Sequence, residues 1–279
     1  MILGTKDKSS SDGPSTAHVA SCAVELASVT VAFQLDNTLV RALDTIDLRV
    51  NEREFVAIVG PSGCGKTTIL NMLAGLAKPS SGEVRRNGEV VSGPSRDVGY
   101  MLARAALMPW RTVRRNVEFG LQIRGVSRSD RRRRATELLK VVGLEGYASS
   151  FPAQLSHGMQ QRAAVARTLA IEPSLWLMDE PFGALDAQTR ESVQTEFVRL
   201  WESKPSTVLF VTHDLGEAVL LADRVIVMSA RPGRITMDRR IDLPRPRDIS
   251  NLRYDPEYVA IEHEIWKTLR GEHEQSASE

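Results

Sequence analysis

Phe55-Val-Ala-Ile-Val59 runs directly into Gly60-Pro-Ser-Gly63-Cys-Gly65-Lys66-Thr67-Thr68, and this junction decides the fold. Five consecutive apolar residues, two of them valine and one isoleucine, mark a strand buried on both faces, as a parallel sheet requires. The polar segment that follows satisfies the phosphate-loop pattern G-x-x-x-x-G-K-[ST], and Thr68 to Leu76 reads as a helix. Strand, glycine loop and helix in that order build an anion cradle: glycines let backbone N–H groups turn inward, and the helix start adds its dipole. Lys66 offers a point charge to β- and γ-phosphate oxygens, and the Thr67 hydroxyl is a ligand for Mg²⁺. The candidate ATP-binding residues are therefore Gly60, Pro61, Ser62, Gly63, Cys64, Gly65, Lys66, Thr67 and Thr68.

Two further runs share the strand's character, Leu175-Trp-Leu-Met178 and Thr207-Val-Leu-Phe-Val211. The first ends in Asp179-Glu180 and the second in Thr212-His213-Asp214. In open α/β sheets, sites form beyond the carboxyl ends of parallel strands, so three such tips predict one site. Asp179 is expected to hold Mg²⁺, directly or through water. Glu180 is the candidate catalytic base for the attacking water, a role worth roughly 10²–10⁴-fold. His213 is expected to bond the γ-phosphate or that water.

The rest of the chain is read more coarsely. Val24-Glu-Leu26 and Val29-Thr-Val-Ala-Phe33 look like short strands, and Ile46 to Val50 alternates with period two. Val113 to Ala170 is predominantly helical, with Ser127-Arg-Ser-Asp130 as a capping box and Gly143 as a stop. Arg131 to Arg134 read as a solvated helix face rather than a nucleic-acid patch. The last helix starts with Asp255 as N-cap and Pro256 in the first turn. It gathers Tyr258, Ile261, Ile265, Trp266 and Leu269 on a side expected to pack on the rest of the protein.

Composition sets the frame. With 279 residues, 42% hydrophobic and 25% charged, the chain resembles an ordinary globular protein that needs no disulfide. Cys22 and Cys64 are unpatterned, which fits a reducing compartment. A formal charge of +1 gives no reason to expect nucleic acid as a partner. No apolar run approaches the ~18–20 residues that cross a bilayer. Met1 to His18 is rich in Ser, Gly and Lys and has no apolar h-region, so it is expected to be a disordered tail and not a secretory signal.

Leu155-Ser156-His157-Gly158-Met159-Gln160-Gln161-Arg162 is similar to the L-S-G-G-Q signature of the ATP-binding cassette family, and the likeness runs from about Val24 through the third strand. It implies a P-loop NTPase of the α/β class, with a RecA-like, mainly parallel core, an antiparallel β subdomain and an α-helical signature subdomain. The implied organisation is a tail over 1–22, a cassette over 23–230 with its helical part at about 103–160, and an extension with a terminal helix over 231–279. In this family the signature helix start serves the γ-phosphate held by the opposite subunit. Ser156 and Gly158 would do so here, in a head-to-tail homodimer that sandwiches two ATPs. Ala184-Leu185-Asp186 resembles the segment that lines the same interface, and Phe33 resembles the aromatic that stacks on adenine. Two positions depart from the pattern. Ala103 stands where a glutamine ordinarily reaches Mg²⁺ and the water, and His157 replaces the first signature glycine.

Leu107-Met-Pro-Trp-Arg-Thr-Val113, Asp179 to Asp186 with Ala187-Gln-Thr-Arg190, Ala230-Arg-Pro-Gly-Arg234 and Ile241 to Asp248 resemble the nitrate/sulfonate/taurine-type importer group. That resemblance implies a peripheral subunit on the cytoplasmic side of the cell membrane. It would work with two integral membrane permease subunits and a separate solute-binding protein on a small, anionic solute. Two other readings stay open at this point: a soluble, non-transport ATPase of the same family, and a low-turnover nucleotide-dependent clamp suggested by Ala103 and His157.

Overall fold

The computed structural model describes residues 21–35 and 38–276; the tail expected over 1–22 lies almost wholly outside them. In chain order the elements are β1 (Cys22–Leu35), β2 (Thr38–Asn51), β3 (Phe55–Val59), α1 (Lys66–Ala74), β4 (Ser81–Arg86), β5 (Glu89–Val90) and β6 (Val98–Met101). There follow α2 (Val113–Ile123), α3 (Arg128–Val141), α4 (His157–Ala170), β7 (Leu175–Asp179), α5 (Ala187–Ser203), β8 (Thr207–Val211) and α6 (Leu215–Leu221). The chain closes with β9 (Arg224–Met228), β10 (Ile235–Arg240), α7 (Ile249–Leu252) and α8 (Pro256–Ser276).

The main sheet has the order β10-β9-β3-β8-β7-β6, parallel except for the β9–β10 pair. The apolar runs of β3, β7 and β8 are therefore central neighbours. Their side chains alternate between two cores, which is why the sequence shows no polar face. Phe55, Ala57 and Val59 join the core under the helices, whereas Val56 and Ile58 face the core of α1 and the second sheet. On the helical side Phe55 meets Phe197 edge-on at 5.9 Å and Trp201 at 5.5 Å, which locks α5 across the sheet. Edge contacts of this kind add about 0.5–1.5 kcal/mol to burial.

The second sheet is antiparallel, β2-β1-β4-β5 among the described residues. Here the short-strand reading is corrected. Val24–Leu26 and Val29–Phe33 are parts of one strand, and Ile46–Val50 is the end of another. Register shifts between Leu26 and Val31 interrupt the alternation, so one bulged strand reads as two. The helix after the phosphate loop also begins earlier than Thr68 and ends earlier than Leu76. It spans Lys66–Ala74 and is stopped by Gly75 at φ 75, where a Cβ would lie 2.2 Å from the Gly93 carbonyl carbon.

Between β6 and β7 the chain builds the helical layer. Ser127 caps α3 by accepting from the Asp130 N–H at 3.2 Å, and Gly143 follows the helix end at φ 65, both as expected. Asn116, fully buried, holds the approach to α2 by accepting from Met108 N and donating to the Met108, Arg111 and Thr112 carbonyls. The terminal helix α8 buries Tyr258, Ile261 and Ile265, with Leu269 partly covered. Trp266 departs from the expectation: it is 44% exposed and stacks on His263. It lies next to Ile265 on the helix, about 100° round, so it falls outside the buried stripe. Arg247 tethers the segment ahead of α8 by donating to the carbonyls of Val219, Leu220 and Ala222 at the end of α6.

Candidate functional site

Three strand tips open on one edge of the main sheet. From β3 the backbone turns through Gly60–Gly65 into α1. Gly65 sits at φ 99, and a Cβ there would lie 2.3 Å from Leu43 Cδ2. Leu43 is fully buried on β2, so the antiparallel sheet presses directly on the loop and fixes its shape. From the other side, Gly233 packs so close to Cys64 that a Cβ would stand 2.0 Å from the Cys64 carbonyl oxygen. The loop is thus held between two elements that the phosphate-loop pattern alone does not contain.

Lys66 is buried, and its Nζ donates to the Gly60 and Pro61 carbonyls at 2.7 and 2.8 Å. Thr67 Oγ1 donates to Asp179 Oδ2 at 2.9 Å, which joins the β3 loop to the β7 tip. Burial pushes the Asp179 carboxyl above its ordinary range; the bond from Thr67 pulls it back, the neighbouring Glu180 carboxylate raises it further, and Lys66 lowers it. A cation placed beside these two oxygens would lower it strongly. Hydroxyl and carboxylate at this spacing fit the small oxygen-ligand set that Mg²⁺ takes alongside phosphates.

Glu180 adopts φ 46, a left-handed conformation that costs of order 1–3 kcal/mol for such a residue and concentrates at working sites. Its N–H bonds to the Val211 carbonyl at 2.8 Å, continuing the β7–β8 ladder for one more residue, while its carboxylate turns toward the β8 tip. There His213 Nδ1 lies 3.3 Å from Glu180 Oε2. Lysine, hydroxyl, two acids and imidazole therefore form one continuous constellation.

A cavity of about 300 Å³ lies over the loop, lined by Phe33, Val40, Ala42, Ser62, Gly63, Gly65, Lys66, Thr67, Thr68, Asp179, Glu180 and Arg231. Phe33 is half exposed at its rim and is not a core residue. Gly60, Pro61 and Cys64, expected to bind nucleotide, do not line the cavity: the Gly60 and Pro61 carbonyls accept from Lys66, and Cys64 is fully buried. Arg231 escaped the sequence reading as a site residue. Its signal was position: it follows β9, the other parallel neighbour of β3, so its loop reaches the same edge. Its Nη2 donates to the Gly63 carbonyl at 3.4 Å.

Ser156, Gly158 and Asp186 lie outside this cavity and gather on a second surface. Ser156 caps α4 by accepting from Met159 N–H at 3.3 Å, and a Cβ on Gly158 would stand 3.3 Å from the Ala184 carbonyl oxygen. The signature turn and the 184–186 segment are thus direct neighbours. Asp186 spends its carboxylate as the N-cap of α5, accepting from Thr189 N–H at 3.0 Å, which holds its acid below the usual range. Ala103 lies two residues beyond the β6 tip. Its carbonyl accepts from Gln161 Nε2 at 3.5 Å.

Comparison with known proteins agrees with this geometry. The ABC transporter family matches residues 43–183. The chain is 49% identical over 249 residues to an uncharacterized ABC transporter ATP-binding protein of Methanocaldococcus jannaschii, covering 89% of this chain and 92% of that protein. It is 43% identical to a nitrate import ATP-binding protein of Synechocystis, covering 82% and 88% of the two chains. It is 42% identical to a taurine import ATP-binding protein of Rhizobium johnstonii, covering 87% and 94%. Among solved structures, a dimeric ATP-binding cassette in a post-hydrolysis state with ADP and Pi superposes with a TM-score of 0.73 at 35% identity, over 79% of this chain and 100% of that one.

Proposed function

The chain belongs to the ABC transporter family as an ATP-binding and ATP-hydrolysing subunit, and from that premise we propose that two copies hydrolyse MgATP between them to drive import of a small anionic solute through separate membrane subunits. The observation that carries the catalytic part is the single constellation of Lys66, Thr67, Asp179, Glu180 and His213 at one sheet edge.

In this reading adenine stacks on Phe33 and the phosphates lie on the loop N–H groups. Lys66 exchanges its two carbonyls for β/γ oxygens, and Arg231 adds a second positive charge at the cavity mouth. Thr67 and Asp179 would hold Mg²⁺, which supplies neutralisation of phosphate charge when bound. Glu180 orients the attacking water and accepts its proton; His213 bonds the γ-phosphate. Each copy contributes Ser156, Gly158 and the helix start of α4 to the nucleotide of the other, with 184–186 along the seam. The relatives named for nitrate and taurine import support the solute class. Among the described residues no helix is long and apolar enough to cross a membrane, which agrees with a peripheral subunit on the cytoplasmic face that relies on permease partners and a solute-binding protein.

Phosphate release and nucleotide titration test this directly. Lys66→Ala is expected to abolish ATP binding, and native purification is expected to recover an integral membrane partner. ATP binding that survives Lys66→Ala contradicts the site. Isolation that never brings down a membrane protein favours a soluble ATPase. The clamp reading draws on Ala103, which has no amide to offer the water, and on His157 in place of a signature glycine; it predicts ATP-dependent dimers with little phosphate release.

A further inference from the structure

Arg190 stands in the first turn of α5, away from the nucleotide cavity, and reaches two segments that the proposed mechanism uses separately. Its Nη2 donates to the Leu185 carbonyl at 3.0 Å, and its Nη1 donates to Asp214 Oδ2 at 3.4 Å. Leu185 belongs to the 184–186 segment that abuts the signature turn at Gly158. Asp214 is the residue after His213. One guanidinium thus spans the surface assigned to the second copy and the loop that carries the imidazole.

The histidine is held from both flanks. Thr212, before it, accepts from Asp214 N–H at 3.0 Å and donates to Glu217 Oε2 at 2.7 Å. Asp214, after it, caps α6 by accepting from Glu217 N–H at 3.1 Å. Glu217 is buried and accepts from Gln194 Nε2 at 2.9 Å, and Arg190 Nε lies 3.9 Å from the same Glu217 oxygen. Arg190 Nε is itself shielded from solvent and makes no hydrogen bond. The flanks of His213 are therefore anchored to Arg190 and Gln194, both on α5, while the same arginine grips the interface segment that precedes this helix. A planar fork with fixed arms suits this task in a way that a flexible ammonium does not.

We propose that Arg190 is a positioning residue that couples the placement of the 184–186 segment, and so engagement of the second copy, to the placement of His213 at the γ-phosphate. The inference rests on the reading of His213 given above. It makes no claim that Arg190 touches nucleotide.

The test compares the purified full chain with Arg190→Ala, Arg190→Lys, Asp214→Asn, the Arg190→Ala/Asp214→Asn double variant and His213→Ala. Steady-state phosphate release and ATP affinity are read together. Asparagine keeps the helix cap and removes only the charge, so Asp214→Asn isolates the ion pair. The expected result is a fall in kcat of about tenfold for Arg190→Ala, in the range of couplings carried by such contacts, with ATP affinity within about twofold of wild type. Arg190→Lys, which retains charge but only one arm, is expected to recover part of the loss. The double variant is expected to be no slower than the slower single, because both remove one link. If Arg190→Ala does not fold, Arg190→Lys with and without Asp214→Asn gives the same comparison. The inference is overturned if His213→Ala loses turnover while Arg190→Ala stays within twofold of wild type, if Arg190→Lys recovers nothing of the Arg190→Ala loss, or if the Arg190 and Asp214 losses multiply. If His213→Ala itself leaves kcat unchanged, the role given to His213 is wrong, and the coupling falls with it.

Discussion

Ala103 lies just past the tip of β6, beside the β7 strand that ends in Asp179, and is exposed, with only a methyl group to offer. Ala103→Gln is expected to raise the rate of phosphate release several-fold, since second-shell contacts of this type are worth roughly 10–100-fold. An unchanged rate and unchanged coupling to transport would show that the position is indifferent. Glu217 makes a second prediction at this scale. Burial pushes its carboxyl from the ordinary 4.5 up to about 7, against the hydrogen bond from Thr212. A carboxyl raised on folding favours the folded state only while it stays protonated, so its contribution is lost as pH climbs from about 4.5 through about 7. Glu217→Gln removes that loss. Relative to wild type, its melting temperature is expected to be higher at pH 8 than at pH 5.5, by an amount equivalent to about 1–3 kcal/mol. A difference that does not vary with pH contradicts the assignment. Arg190 and Arg231 mark the limit of reading by residue: each was visible as an arginine beside a recognisable motif, but their partners lie far along the chain, Asp214 from Arg190 and Gly63 from Arg231.

At the scale of elements, what the sequence displayed depended on how regular the local burial was. β3, β7 and β8 are buried on both faces throughout, and each stood out as an unbroken apolar run. β1 was divided in two because its bulges break the period that alternation relies on, and β2 was seen only where its alternation is clean. The site shows the same split. The phosphate loop and the Asp179-Glu180 pair were legible because each lies in one contiguous stretch at the end of an apolar strand. The left-handed turn at Glu180 and the pressure of Leu43 and Gly233 on the loop arise from strand order, which no local pattern encodes. In α8 the periodic stripe was correct for Tyr258, Ile261 and Ile265 and failed for Trp266. Ile265→Ala is accordingly expected to cost about 2–5 kcal/mol in denaturant unfolding. Trp266→Ala, which loses its stacking on His263 but opens no cavity, is expected to cost about 1 kcal/mol or less. Equal losses would mean that α8 is seated differently.

At the scale of the molecule, the protein carries a nucleotide cavity and, apart from it, a second surface made by Ser156, Gly158 and the 184–186 segment. In the proposed reading a single copy supplies both halves of a reaction centre without joining them, so ATP must bring two copies together and hydrolysis release them. Glu180→Gln leaves the phosphate loop in place while removing the carboxylate proposed to accept the proton, a change expected to slow hydrolysis about 10²–10⁴-fold. Light scattering of this variant with and without MgATP tests the requirement most directly. The account predicts a twofold rise in mass on adding MgATP, abolished when Ser156→Arg is also present. A mass that stays at one copy with ATP demonstrably bound would contradict it.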